Sequence, residues 1–149
     1  MTMRRFLFSM QALYDVKTAA EKQAMADWAA AKRAADQAEA ARDRCGQKLL
    51  QERKNLEGDA RQGITVLEFQ SRSAYEKLLQ QQVQTLETEL SNAREIVRDR
   101  QACLQTIYKE RKSLERVREV QQTAFSKEQY AKEAKELDDL LAPGMTKLR

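Results

Sequence analysis

A narrow apolar stripe in the second half of the chain limits what this sequence can fold into. Alternating steps of four and three residues from Leu79 to Leu114 reach apolar side chains at nine of eleven positions. The two polar positions are Arg100 and Arg111, and the apolar ones are Leu79, Val83, Leu86, Leu90, Ala93, Val97, Leu104, Ile107 and Leu114. This spacing among charged and Gln residues is typical of a coiled-coil helix. The stripe needs a partner, because a lone helix leaves it in water.

The first third of the chain supplies a second helix with the same spacing. Four-three steps lead from Phe6 to Ala24, an extra four-residue step reaches Trp28, and the pattern continues to Leu56. Two successive four-residue steps form a stutter, which locally unwinds a supercoil. Alanines are frequent between residues 19 and 41, and small residues let a Leu-rich helix pack closely.

Two glycines, Gly58 and Gly63, bracket the polar stretch where the heptad spacing stops. Gly58 suits the left-handed residue that ends a helix, and Thr65 with Glu68 matches a capping box. We predict helix one at about 4–57, a turn at about 58–64, helix two at about 65–140 and a flexible tail at 142–149. The predicted fold is all-α: one coiled-coil domain, a long antiparallel two-helix hairpin with the second helix longer than the first.

A turn centred near residue 61 fixes an expected register, in which residue i lies opposite about residue 122 − i. Phe6 is then expected against residues 114–117, and Ala35 against Leu86 and Leu90. Cys45 lies opposite about residue 77, so a disulfide with Cys103 is excluded by distance.

The last part of helix two is expected to extend beyond helix one. Residues after about 120 have no partner in this register, and residues 126–129 match a capping box that favours an interruption of the helix. Ala-Pro-Gly at 142–144 is expected to end it.

The composition argues against an enzyme. The chain has no histidine and only two isolated cysteines, which removes the usual general base and any zinc-binding cysteine cluster. No phosphate-binding glycine motif occurs. We therefore predict a binding protein with no catalytic residues, cofactor or metal. No run of 18 apolar residues is present, so we expect no membrane insertion and place the chain in the cytosol.

Positive charge is concentrated in residues 94–118, which hold eight basic and four acidic residues and so carry the +4 net charge of the whole chain. In the hairpin this segment lies near Arg4 and Arg5, so the end with the termini is electropositive. Such a field attracts acidic surfaces, although a simple solvated face remains the alternative. Nucleic acid is disfavoured, because acids intervene and aromatics are few.

Three further residues invite two interpretations each. Arg100 and Arg111 interrupt the apolar seam; either their stems pack while their heads reach solvent, or they mark where the coil opens or meets another subunit. Tyr75, just after the turn, either covers the base of the hairpin or anchors a partner.

Several short motifs in order resemble the flagellar export protein FliJ family. They are the opening Phe6-Leu-Phe-Ser-Met10-Gln-Ala-Leu13, the Gly63-Ile-Thr65 leading to Tyr75 and Leu79, and the closing Lys135-Glu-Leu137-Asp-Asp139. The resemblance spans essentially the whole chain. It implies a two-helix coil similar to the rotor stalk of F-type ATPases. The expected partners are the hexameric export ATPase, the cytoplasmic domain of the export gate and other export chaperones. The expected location is cytoplasmic, at the inner face of the inner membrane.

The resemblance also assigns residues to the two contacts. The ATPase-binding residues would lie at the terminal end: Arg4, Arg5, Phe6, Arg111, Lys112, Arg116 and Arg118. The gate-binding residues would be Tyr75, Leu79, Gln82 and Leu86 of helix two, with Cys45, Leu49 and Glu52 of helix one. Polar Glu52 departs from the aromatic residue that the family pattern suggests.

The leading hypothesis is a non-enzymatic stalk and chaperone of flagellar type III export. Its alternatives are a virulence-secretion stalk of the YscO type, a structural homodimer in which helices pair between chains, and a holdase chaperone.

Overall fold

The computed structural model describes the backbone of residues 5–147 and the side chains of residues 5–142. Two helices, α1 (Gln11–Gln62) and α2 (Val66–Lys147), pack against each other as an antiparallel hairpin. No strand occurs in this described part of the chain. The predicted all-α hairpin is therefore confirmed, including a second helix longer than the first, with 82 residues against 52.

The first helix begins later than the predicted residue 4. Residues 5–8 are non-helical, and a turn in which the Gln11 N–H donates to the Phe8 carbonyl at 3.0 Å leads into α1. Phe8 is buried and Phe6 half-buried. Side chains two apart in a helix point to nearly opposite sides, so a helix could not bury both rings on one side. Burial of these two rings thus accounts for the late start.

The turn lies at Gly63, and the prediction that Gly58 ends helix one is wrong. The helix continues through Gly58 to Gln62, and Gly63 adopts φ 99°, a left-handed conformation that favours glycine. Its N–H donates to the Ala60 carbonyl at 3.3 Å. One of the two hydrogen bonds of the predicted capping box is confirmed: the Glu68 N–H donates to the Thr65 hydroxyl oxygen at 3.1 Å.

Burial follows the predicted seam on both helices. Leu79 and Leu90 of α2 are only 2% exposed, and the four-three positions between Val83 and Leu114 are half-buried, apart from Arg100, which is exposed. In α1 the buried residues are Ala24, Ala35, Leu49 and Leu56, and half-buried Trp28 fits the extra four-residue step. Leu13, expected in the seam, is 46% exposed, and half-buried Tyr14 takes its place.

Two compact units divide the chain. The terminal unit comprises Met1–Lys22 with Gln105–Arg149, and the turn unit comprises Gln23–Leu104. Each unit contains part of both helices.

In the turn unit several ion pairs lie roughly two helical turns from the predicted register, whereas Cys45 contacts Leu79, close to the predicted residue 77. The pairs that fix the observed register are Asp59–Arg72 at 2.5 Å, Arg53–Glu76 at 2.7 Å and Glu39–Arg94 at 3.7 Å. Ala35 accordingly lines a groove with Val97 rather than with Leu86 or Leu90. The cause is the turn at Gly63, because moving the turn along the chain moves every facing pair.

In the terminal unit, α2 is covered further along its length than expected. The rings of Phe6 and Phe125 lie 5.6 Å apart between centroids, although no partner was predicted after about residue 120. The contact lies about nine residues further along α2 than predicted, a displacement similar to that of the ion pairs in the turn unit. α2 runs without interruption through residues 126–129 and ends at Lys147, past the predicted residue 140.

Candidate functional site

Arg111 occupies the seam of the terminal unit and is held there by two carboxylates. Its guanidinium forms an ion pair with Glu21 of α1, and a second hydrogen bond reaches Glu115 at 3.0 Å. The hydrogen bond to Glu21 is the main reason that the pKa of Arg111 is raised, and burial opposes it. The Arg111 side chain is 16% exposed. Arg111 therefore serves the packing between the helices more than it presents charge outward.

The exposed face of the same stretch of α2 carries an aromatic ring among cations. Tyr108 is 45% exposed, with the Arg111 guanidinium 5.4 Å and the Lys112 ammonium 5.8 Å from its ring centre. A groove of about 760 Å³ runs along this face between Tyr108, Lys112 and Arg116. Cations attract the face of an aromatic ring, and Tyr and Arg are enriched among the residues that contribute most to protein interfaces.

The other predicted residues of the terminal end are placed differently. Phe6 packs on Phe125, and Arg118 lies over the Tyr14 ring at 5.9 Å. Arg5 is exposed, whereas Arg4 lies outside the described residues.

Several cations of this unit remain available to a partner. Among the described residues, neither Arg5, Lys109 nor Arg116 forms an ion pair, whereas Lys112 lies 3.6 Å from Glu115. We call Lys109, Lys112 and Arg116, together with Tyr108, the basic face.

In the turn unit, the residues predicted to meet the export gate fall into two layers. Leu49 and Leu79 are buried at 7% and 2% exposure, between the helices. Cys45 lies beside them, its Sγ 3.9 Å from the Leu79 carbonyl oxygen and 4.0 Å from Oε1 of Gln82. These three residues pack the seam.

The outer layer of this surface consists of side chains that a partner can reach. Tyr75 is 38% exposed and Gln82 is exposed, while Glu52 and Leu86 are half-buried. The Lys48 ammonium lies 5.9 Å from the Tyr75 ring centre, and hydrogen bonding to Tyr75 raises the pKa of Lys48. Lys48 therefore lies over the exposed Tyr75 ring. Tyr75 and Gln82, flanked by Glu52 and Leu86, form what we call the Tyr75 face.

The described residues form neither a metal-binding cluster nor a membrane-spanning helix. No group of three or more His, Cys, Asp or Glu side chains in this part could hold a metal ion. Neither helix contains, over its described length, an apolar window long enough to cross a membrane.

Comparison with known families agrees with the fold and with the spacing of the motifs. A family model described as Flagellar FliJ protein matches residues 6–143. The chain belongs to the FliJ family. Comparisons with curated proteins and with solved structures gave no match. Membership confirms the resemblance noted from the sequence and indicates a component of flagellar protein export; FliJ is a family of export components and not a known enzyme family.

Some contributors to these FliJ-family surfaces were missed by sequence reasoning. Glu21, Tyr14, Tyr108 and Lys48 each contact a predicted residue, but none had been singled out. For Tyr108 a signal existed, since it is the one aromatic residue within the basic stretch. For Glu21 and Tyr14 none did, because their partners depend on the register.

Proposed function

We propose that this FliJ-family protein is a non-enzymatic stalk and chaperone of the flagellar export apparatus. In this proposal its terminal unit binds the hexameric export ATPase and its turn unit binds the cytoplasmic domain of the export gate. The protein would then sit at the cytoplasmic face of the inner membrane, held there through its partners and without membrane insertion.

The observation that carries the ATPase contact is the set of unpaired cations on the basic face. Lys109 and Arg116 have no ion pair among the described residues and lie beside an exposed aromatic ring, Tyr108. Arg5, elsewhere in the terminal unit, has no ion pair among the described residues either. Unpaired exposed charges produce a field that steers acidic partners. Arg111 contributes by fixing the helix that presents them, since its own charge is already compensated by Glu21 and Glu115. Phe6 packs on Phe125 and Arg118 lies over the Tyr14 ring, so both residues contribute to packing within the terminal unit.

The gate contact is supported by the arrangement of the Tyr75 face. Leu49 and Leu79 pack beneath it, with Cys45 against the Leu79 backbone, so the outward Tyr75 and Gln82 are presented by a rigid support. An exposed aromatic residue on a rigid helix is a suitable anchor for a protein interface.

The ATPase contact is tested by charge reversal on the basic face. The chain with Lys112→Glu and Arg116→Glu should lose most of its stimulation of ATP hydrolysis and of hexamer formation by the purified export ATPase. A matched control reverses two exposed lysines elsewhere on α2, Lys132→Glu and Lys135→Glu, with the same change in net charge. The control should stimulate as the unaltered chain does. No stimulation by the unaltered chain, or equal losses in both variants, would refute the ATPase contact.

A structural homodimer is separated from this proposal by sedimentation. The stalk is expected to be a monomer at micromolar concentration, whereas a scaffold with helices paired between chains would sediment as a dimer. Whether the system is flagellar or of the YscO type is decided by which purified export ATPase the chain stimulates.

A further inference from the structure

The apolar stripe of α2 changes face after Phe125. Continuing the four-three steps past Phe125 reaches only charged residues, namely Glu128, Lys132, Lys135 and Asp139. A second stripe with the same spacing begins on another side of the helix, at Tyr130, Ala134, Leu137 and Leu141. Because α2 is an uninterrupted helix through this region, the side that contacts Phe6 is polar here and the apolar side faces elsewhere. A longer first helix, packed on the same side of α2 as Phe6, would therefore not cover this apolar side.

We call Tyr130, Ala134, Leu137 and Leu141 the distal stripe. Its large members are strongly exposed, Tyr130 at 78%, Leu137 at 58% and Leu141 at 56%, and Leu140 beside it is 74% exposed. Residues 130–142 are exposed throughout. Single apolar residues on a surface are ordinary, but several at helical spacing on one face indicate a binding surface for another helix.

The rim of the distal stripe is acidic. With Tyr130 and Leu137 at heptad positions d, and Ala134 and Leu141 at a, two of the four flanking g and e positions hold Glu133 and Asp138, and the other two hold Ala131 and Leu140. At about 100° per residue these carboxylates lie roughly 70° to either side of the stripe, whereas Lys132 and Lys135 lie on the back of the helix. Neither Glu133 nor Asp138 has an ion pair among the described residues. Both are therefore available to a cationic partner.

A second copy of this chain is a poor occupant of the distal stripe. In a parallel pair, g of one helix meets e of the other, so Glu133 would face Asp138 with like charge. In an antiparallel pair, g meets g and e meets e, so these acids would face Leu140 and Ala131. Neither arrangement neutralises the rim.

We propose that the distal stripe docks an amphipathic helix of a partner protein whose apolar stripe is flanked by Lys or Arg. Apolar contact would supply the burial, and Glu133 and Asp138 would select the basic flanks. The site lies in the terminal unit, as the proposed ATPase contact does, but it shares no residue with the basic face or the Tyr75 face. Its failure would leave the proposed function intact.

The test uses the full chain and two labelled synthetic peptides about three heptads long. Both carry Leu at positions a and d; one has Lys at e and g, and the other has Glu there, so that like charges discourage each peptide from pairing with itself. Binding is followed by fluorescence anisotropy. The Lys peptide should bind at least about tenfold more tightly than the Glu peptide, a difference that a few e/g charge pairs can supply.

Charge reversal on the rim should invert this preference. Glu133→Lys with Asp138→Lys is expected to make the Glu peptide the tighter ligand. The matched control, Glu136→Lys with Asp139→Lys, changes the net charge equally but away from the rim, and should still prefer the Lys peptide. An equal inversion in the control would show a general charge effect and overturn the proposal.

Removal of the apolar side chains completes the test. Leu137→Ser with Leu141→Ser should abolish binding of the Lys peptide while circular dichroism shows unchanged helix content. Binding that survives this change, or no binding of either peptide to the unaltered chain, would overturn the proposal. A dimer in sedimentation equilibrium that the same double substitution dissociates would overturn it too, by showing a second copy on the stripe.

Discussion

At the scale of single residues, Arg111 shows that a cation can occupy an apolar seam when its charge is compensated. Its ion pairs with Glu21 and Glu115 lie at a position where the spacing calls for Leu. We predict that Arg111→Leu lowers the melting temperature by several degrees, because the Glu21 carboxylate, also 16% exposed, loses its partner. Glu21→Leu combined with Arg111→Leu should recover most of the loss. Thermal melts followed by circular dichroism measure both.

Arg100 is the matched control for this substitution. It holds the same kind of seam position but is exposed, with no ion pair among the described residues. Arg100→Leu should leave the melting temperature unchanged or raise it, because no carboxylate is left unpaired. Equal destabilisation by the two single substitutions would contradict the role assigned to the Arg111 pairs.

Tyr75 gives the residue-level prediction for the gate contact. Tyr75→Ala should weaken binding to the purified gate domain by about tenfold or more, as expected for an aromatic anchor. Because Tyr75 is 38% exposed, the fold should tolerate the change. Tyr108→Ala is the control, a tyrosine of similar exposure, 45%, outside this face. Calorimetric titration measures both, and an equal effect of the two changes would argue against the Tyr75 face.

At the scale of the helices, the sequence predicted which residues form the seam but not which residues face each other. A four-three stripe looks the same after a shift of seven residues, so spacing alone leaves registers one heptad apart nearly equivalent. The turn decides between them, and two glycines, Gly58 and Gly63, competed for it. The basic face could be predicted from the local excess of Lys and Arg. The Glu21–Arg111 pair could be predicted only from the register, which spacing alone does not give. The Phe6–Phe125 contact likewise could be predicted only from the register.

Replacing Gly63 or Gly58 by alanine should change the stability of the protein in opposite directions. Gly63→Ala should destabilise the protein by about 1 kcal/mol or more, because its left-handed φ of 99° is costly for any residue with a Cβ. Gly58→Ala should stabilise it by about 1 kcal/mol, since Gly58 lies within α1. A Cβ at either position meets nothing within 4 Å, so the backbone alone sets both signs. Chemical denaturation measures the two changes, and a stabilising Gly63→Ala would contradict the turn.

At the scale of the whole molecule, the central claim is that both helices of the hairpin come from one chain. Native Cys45 lies 4.0 Å from the Gln82 side chain, so Gln82→Cys, in a chain with Cys103→Ser, places two thiols close together. A short bifunctional thiol reagent should link them rapidly into a product that migrates as a monomer on a denaturing gel. Lys77→Cys in the same background is the control, because residue 77 faced Cys45 only in the register predicted from a turn at residue 61. Linked dimers would mean that helices pair between chains, as in the scaffold alternative. Faster linking through residue 77 would mean that the turn is centred near residue 61, between the two glycines.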